Sequence, residues 1–359
     1  MRLQKTKSVG DILAKKLIVA TGDVRQIFEE KPATLAKING IGRFTLSRLF
    51  DKNNCRFAEK EYEYIKENNL SFSYFLDEDY PLNLQQCIDA PILFFKDGKI
   101  NFNNPRIISI VGTRNITSYG RVFCERLLEE LKEYNPIIVS GFAYGIDICA
   151  HKEAMKNNLQ TIAVLAHGFN QIYPKAHKKY MHQLHENGGF VTEFWHDEPL
   201  QRENFLKRNR IVAGLSQATI IIESAKKGGS LVTADIANSY SRDVFAVPGR
   251  SSDIFSKGCN DLIKSNKAAL LTSTEDIANM LNWDLPKSKQ TLPAQQKLFI
   301  TLAIEEQKIH DYLLLNGKQL LDVVALETAL PVYKTASILV QLEMKGLVQP
   351  LPGKYFEAI

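Results

Sequence analysis

The chain has 359 residues, 45% of them hydrophobic, and its 45 Lys and Arg against 40 Asp and Glu leave a net charge of +5. That length supports one sizeable core with one or two satellites, and so small an excess of positive charge is compatible with a polyanionic partner without pointing to one. Five scattered cysteines (Cys55, Cys87, Cys124, Cys149, Cys259) with no CxxC spacing argue for a reducing compartment and against a structural zinc site. No run reaches 18 apolar residues and the opening MRLQKTKSVGDILAKK has no apolar signal core, so a soluble cytoplasmic protein with no membrane partner is expected.

In chain order, residues 1–70 read as a helical module, rich in Leu, Ile, Lys and Glu and broken by Gly22 and by Gly40 and Gly42. Within it, LAKINGIGRFTL at 35–46 resembles a helix–hairpin–helix, whose hairpin amides hold a DNA phosphate in some proteins and merely connect helices in others. Residues 71–100, with aromatic and proline punctuation, predict a small strand-containing adaptor. From 105 to 282 apolar runs alternate with amphipathic stretches, the pattern of repeated βαβ units. Strands are predicted at 106–112, 136–140, 161–166, 189–193, 218–223, 243–247 and 268–272. Helices are predicted near 118–133, 145–157, 176–187, 203–214, 230–240, 258–265 and 274–282. The expected fold class is α/β, an extended Rossmann-like doubly wound sheet, mainly parallel with right-handed crossovers. Residues 71–282 form this core, 283–293 (with DLPKSKQTLP) a linker, and 294–359 a winged-helix module of short helices closed by a hairpin near Pro352 and Gly353.

Chemistry concentrates where predicted strands end. Gly112-Thr113-Arg114 follows one strand and precedes a helix that Thr117 or Ser118 can cap. The glycine lets backbone approach an anion, and an arginine grips phosphate with two parallel hydrogen bonds. The next turn, Ser140-Gly141-Phe142-Ala143-Tyr144-Gly145-Ile146-Asp147, brackets a helix start with Gly141 and Gly145. Asp147 and His151 are one helical turn apart, which fits an acid–base pair or, more simply, an N-terminal acid beside a structural histidine. Neither loop holds a GxSxG nucleophile elbow. Lys175, Lys178 and Lys179 follow the strand at 161–166, and His177, His182 and His185 lack the i, i+4 pairing of helical zinc sites, so no metal is expected. Arg202-Glu203-Asn204-Phe205-Leu206-Lys207-Arg208-Asn209-Arg210 is the densest basic cluster, and an aromatic among cations suits single-stranded nucleic acid. Glu223-Ser224-Ala225-Lys226-Lys227-Gly228-Gly229-Ser230 again follows an apolar strand and opens a helix, a further anion-binding turn with two lysines. Arg114, the 140–147 turn, Lys175 and the 226–230 turn all fall at carboxyl ends of predicted parallel strands, the ligand-binding edge of an open α/β sheet, and together they offer more phosphate grips than one small ester needs. The expected nucleic-acid contacts are Gly112, Arg114, Ser140, Gly141, Gly145, Lys175, Arg202, Phe205, Arg208, Arg210, Lys227, Gly228 and Ser230. In the terminal module the stretch 332–345 carries only Lys334 and Lys345 as cations, too neutral and apolar for a base-reading helix, and favours a protein contact.

Taken in order, the blocks VGTR (111–114), SGFAYGID with Ala150-His151, YPKAHKK (173–179), FLKRNRIVAGLS (205–216), KKGGSLVTADIA (226–237), VFAVPG (244–249) and GCNDLI (258–263) resemble the DNA-processing protein A family, DprA or Smf. The resemblance implies an extended Rossmann core that binds single-stranded DNA without sequence preference, a homodimer, and loading of the RecA recombinase onto incoming DNA during natural transformation. It implies no catalytic residue and no cofactor. It points to Arg114, Lys175 and Phe205 as DNA contacts, with Arg202 where some members carry lysine. Phe142-Ala143-Tyr144 departs from the family's common residues in that turn. A rival reading is a nucleotide-processing enzyme of the lysine-decarboxylase-like phosphoribohydrolase type. The turn KKGGSLVTADI keeps that type's glycines but lacks its glutamate, with Ala234 and Asp235 nearby. A nicotinamide dehydrogenase is disfavoured because no GxGxxG opens the core.

Overall fold

A computed structural model describes residues 1–284, 302–351 and 353–358. The chain divides into two compact units, Met1–Pro286 and Lys287–Ile359. The first unit is organised by a nine-stranded sheet of β1 (Ser71–Tyr74), β2 (Leu93–Gly98), β3 (Ile107–Val111), β4 (Ile137–Ser140), β5 (Thr161–Val164), β6 (Gly188–Thr192), β7 (Ala218–Ile221), β8 (Asp243–Ala246) and β9 (Ala269–Leu270). Its spatial order is β1-β2-β6-β5-β4-β3-β7-β8-β9. The strands from β3 to β9 pair in parallel, whereas β1–β2 and β2–β6 are antiparallel, so the expected adaptor is an antiparallel extension of the main sheet. All seven core strands predicted from apolar runs are present. In the helix predicted at 176–187, Lys175–Tyr180 is a 3-10 turn that leads into the α-helix Met181–Glu186.

Burial on both faces explains why the strands read as unbroken apolar runs. In β3, Ile107 and Val111 enter the core on one face, while Ile108 and Ile110 enter the core on the other. Ser109 lies between them, fully buried, and its hydroxyl donates to the Val212 carbonyl at 2.6 Å, satisfying a polar group on the face that receives the Arg202–Leu215 helix. The amino-terminal helices share the first of these cores: Leu3, Leu17, Ile18 and Leu49 belong to the same cluster as Phe94 and Val191. Gln4 donates to the Leu93 carbonyl at 2.9 Å, and Asp11 accepts the Ile92 amide at 2.9 Å. The boundary expected at residue 70 therefore falls inside one compact unit. Trp283 also packs on this unit and donates to Gln217 at 3.2 Å. The expected linker lies outside the described residues beyond Asp284.

The second unit holds helices Ile304–Asn316, Leu321–Glu327 and Val332–Met344, and a three-stranded sheet of β10 (Gln319–Leu320), β11 (Val348–Leu351) and β12 (Tyr355–Ala358) in the order β10-β12-β11. Ile309, Leu313, Leu339 and Leu342 fill its core. The hairpin β11–β12 is the expected wing. Among the described residues no single helix is long and apolar enough to cross a membrane.

Parallel order changes direction at β3, from which the chain first builds outward through β4, β5 and β6 and then returns to add β7 on the other side. In open α/β sheets a crevice opens at that switch, outside the carboxyl ends of the two central strands. The loops flanking it interlock. The Thr113 amide donates to the Glu223 carbonyl at 2.7 Å, and the Ile146 amide donates to the Thr113 carbonyl at 3.1 Å. Gly145 is required where they meet: its φ is +79°, and a Cβ there would stand 2.1 Å from the Thr113 carbonyl oxygen. Gly145→Ala is expected to lower stability by about 2 kcal/mol or more in urea unfolding, through strain and displacement of the Thr113–Arg114 backbone. Wild-type stability in this variant would contradict the interlock.

Candidate nucleic-acid interface

The crevice is a cleft of about 800 Å³ whose walls include Gly112, Thr113 and Arg114 after β3, Gly141, Ala143 and Asp147 after β4, Tyr173 after β5, and Gly228, Gly229 and Ser230 after β7. The Arg202–Leu215 helix closes it with Arg202, Phe205, Leu206, Arg208 and Asn209. Within it Arg114 and Phe205 meet. The guanidinium carbon lies 5.4 Å from the ring centroid, and Tyr173 sets its ring edge-on to the same phenylalanine, centroids 5.6 Å apart. A cation, a half-buried ring face and a second aromatic thus line one wall.

Two buried carboxylates shape the loops. Glu223, 2% exposed, accepts the Thr117 amide at 3.0 Å and the Thr117 hydroxyl at 2.5 Å. Thr117 in turn caps the Ser118–Leu131 helix by accepting the Gly120 amide at 3.2 Å. Asp147 accepts the Gly141 amide at 3.1 Å and the Ala143 amide at 3.4 Å. Burial pushes its carboxyl up, while neighbouring Arg208 opposes that shift. Amides in the turns ahead of the Ser118–Leu131 and Ile146–Lys156 helices, turns expected to face a phosphate, thus already serve protein carboxylates. The Gly229–Ser239 helix starts at the cleft itself, where Gly229 and Ser230 line it.

The expected contacts sort by this geometry. Gly112, Arg114, Gly141, Arg202, Phe205, Gly228 and Ser230 line the cleft, although the Ser230 hydroxyl donates to Ser224 at 2.9 Å. Lys175 and Lys227 are exposed and lie outside the lining. Gly145 supports the cleft from behind, as described. Three of the expected contacts are tied inside the protein. Ser140 is a sheet residue, fully buried, whose hydroxyl donates to the Ile110 carbonyl at 2.6 Å. Arg208 is a floor residue, 5% exposed, donating to the Val164 carbonyl at 2.6 Å and packed so tightly under Gly141 that a Cβ there would meet its guanidinium at 2.1 Å. Among the described residues its Nε finds no partner. Arg210 lies well round the helix from Phe205, bonds Glu193 and Asp11, and donates to the Asp89 carbonyl at 2.6 Å, so its charge is spent inside the protein. Tyr173, Leu206 and Asn209 were not anticipated as site residues, nor was the positioning role of Glu223 at the head of its turn. Tyr173, immediately before Pro174-Lys175, was the one legible from its setting.

The Asp147–His151 pair is structural. His151 is fully buried, its Nδ1 bonds the Thr161 hydroxyl at 2.7 Å, and burial, reinforced by His177 and Arg208, lowers its pKa to about 3. His177 is likewise tied to the Phe142 carbonyl at 2.9 Å. Among the described residues the one trio of metal-type donors within 4.8 Å of one another is Glu61, His196 and Asp197, none of which lines the cleft. Both Glu61 oxygens there already bind His196. In the second unit Lys334 pairs with Glu305 at 2.5 Å and Lys345 with Glu306 at 2.6 Å, leaving the Val332–Met344 helix without a free cation.

With this geometry in view, the comparisons are decisive. A family described as DNA recombination-mediator protein A matches residues 71–282, and a DprA winged helix domain matches 317–354. The chain belongs to the DNA recombination-mediator protein A family. It is 37% identical to Protein Smf of Escherichia coli over 292 residues, covering 77% of this chain and 75% of that one. The X-ray structure of DNA processing protein A from Streptococcus pneumoniae aligns with TM-score 0.67 and 30% identity, over 79% of this chain and 96% of that one. A Helicobacter pylori DNA processing protein A, whose structure describes a single-stranded DNA binding mode, aligns with TM-score 0.54 and 29% identity, over 60% of this chain and 97% of that one.

The buried histidine has a pH consequence. An unfolded imidazole takes up a proton near 6.5, whereas folded His151 resists protonation down to about 3. The unfolded state therefore binds more protons across that window, and stability falls as pH drops through it, by about 1.4 kcal/mol per unit for one such group. His167 and His177, also shifted down by burial, add in the same direction. Buried Glu193, whose carboxyl is pushed up to about 7, acts in the opposite direction over part of this window, so the histidine's share is read as a difference. Between pH 7 and 5 in urea unfolding, His151→Gln should lose less stability per pH unit than wild type, and an equal slope in the two proteins would contradict it.

Proposed function

We propose that the protein is a non-enzymatic mediator that binds single-stranded DNA in the switch-point cleft, protects it and loads the RecA recombinase onto it during natural transformation, acting in the cytoplasm as a homodimer. The observation that carries this reading is the meeting of Arg114 and Phe205 in a cleft edged by glycine turns. A guanidinium holds phosphate, and a ring face stacks any base at roughly 1–3 kcal/mol, which gives affinity without sequence preference. Arg202 on the cleft wall and exposed Lys175 beside it extend the phosphate grip. The H. pylori relative described with a single-stranded DNA binding mode supports the choice of ligand.

Placement of the other residues disfavours the enzyme reading. Ala234 is fully buried, and Asp235 is exposed and pairs with Lys267 at 2.9 Å, outside the cleft lining. No release of base is expected when the pure protein is incubated with nucleoside monophosphates.

The direct test is a binding series with single- and double-stranded oligonucleotides on wild type and Arg114→Ala. Wild type should prefer single strands, and the variant should lose at least tenfold. With Arg114, Lys175 and Arg202 each neutralising a phosphate, log affinity should fall with log salt at a slope of about −2, and the variant should lose about 0.7 of it. Equal binding by both proteins would remove Arg114 from the site.

A further inference from the structure

We propose a second DNA subsite outside the cleft, an aromatic and lysine surface formed by Tyr144, Tyr180, Lys152 and Lys179, over which the strand continues as it leaves Tyr173. The inference rests on the reading that the cleft takes single-stranded DNA. Its basis is a set of side chains that the cleft does not use. Tyr144 follows the cleft residue Ala143 and is 43% exposed, on a turn fixed by Gly145. Its ring stands edge-on to His177 at 5.0 Å, and His177 lies 6.2 Å from Tyr180. Lys179 sits 5.1 Å, and Lys152 6.0 Å, from the Tyr180 ring.

The local helix explains how these groups share a surface. In a 3-10 helix residues i and i+3 eclipse, so Lys175–Tyr180 carries separate rows: Lys175 with Lys178, Ala176 with Lys179, and His177 with Tyr180. His177, 4% exposed and bonded to the Phe142 carbonyl, anchors its row against the glycine turn. Half-buried Tyr180 is thereby brought toward Tyr144, and the lysine rows face solvent. The turn begins at Lys175, two residues after Tyr173 in the cleft wall, so surface and cleft are continuous. Among the described residues Lys152, Lys175, Lys178 and Lys179 form no ion pair, whereas Lys156 on the same helix as Lys152 is tied to Glu153 at 3.3 Å. An exposed ring, Tyr144, and a half-buried one, Tyr180, interleaved with unpaired ammonium groups form the combination that tracks a flexible strand: a base has a face to stack, and each phosphate needs only a nearby charge. A lone solvated lysine face would not place aromatic rings among its cations.

The test uses labelled oligo-dT of about four nucleotides, which the cleft can hold, and of about twelve, long enough to cross the second surface. The full-length triple variant Tyr144→Ala, Lys152→Gln, Lys179→Gln should bind the longer probe about tenfold more weakly than wild type and the shorter probe within about twofold. Its salt slope on the longer probe should fall by about 1.4, the share of two phosphates. The pair Lys152→Gln, Lys179→Gln, which leaves every ring in place, should show the same loss of slope and guards against misfolding of the triple variant. Wild-type affinity and slope on the longer probe, or equal losses on both lengths, would overturn the subsite. Arg114→Ala should weaken both lengths; if it weakens neither, the reading of the cleft itself fails.

Discussion

The cleft depends on one carboxylate. Glu223 leaves the end of β7, crosses the switch point, and holds Thr117 through its amide and hydroxyl, while its own carbonyl takes the Thr113 amide. The loop that presents Arg114 is therefore fixed between bonds to Glu223 on both sides, and the helix behind it begins where Thr117 caps it. Asp147 does the same for the neighbouring turn by accepting the Gly141 and Ala143 amides. Buried acids inside a site proposed for a polyanion oppose the ligand's charge unless their own charge is compensated. They are reconciled by their partners: charge-assisted bonds hold Glu223, and Arg208 beneath the floor opposes the burial shift of Asp147. The exposed charges on the cleft wall are positive, namely Arg114 and Arg202, whereas Asp147 is buried.

This division separates charges that shape the protein from charges available to a ligand. Within the single basic cluster at 202–210, Arg202 lines the cleft, Arg208 is committed to the floor, and Arg210 is committed to Glu193 and Asp11. One helix carries all three outcomes because successive residues turn by about 100° and meet different neighbours. Counting cations in sequence overstates the phosphate grip for this reason. The same holds in the second unit, where Lys334 and Lys345 are held by Glu305 and Glu306.

Much of the architecture was legible in the sequence because strands buried on both faces give near-continuous apolar runs, as at Ile107–Val111, and the runs of β3 and β4 stop at glycine turns. Arg114 and Phe205 were legible because residue type and position agreed: an arginine after a strand, and a ring inside a basic helix. Partners distant in the chain were not. Arg210 finds Asp11 across 199 positions and Glu223 finds Thr117 across 106, and no local pattern announces either. Ser140 misled because a serine at a strand end looks like part of the loop, whereas its hydroxyl turns inward to the Ile110 carbonyl. The docking of the amino-terminal helices onto the sheet core was hidden for a related reason: their apolar positions predict a core without naming its other half.

Amide hydrogen exchange with and without saturating oligo-dT tests the central claim most directly, because it reads every backbone segment at once. The account predicts slowed exchange in the turns after β3, β4 and β7, around 112–117, 141–147 and 226–231, together with the first turns of the Arg202–Leu215 helix. Protection confined to the second unit, or to the amino-terminal helices with these turns unchanged, would contradict it.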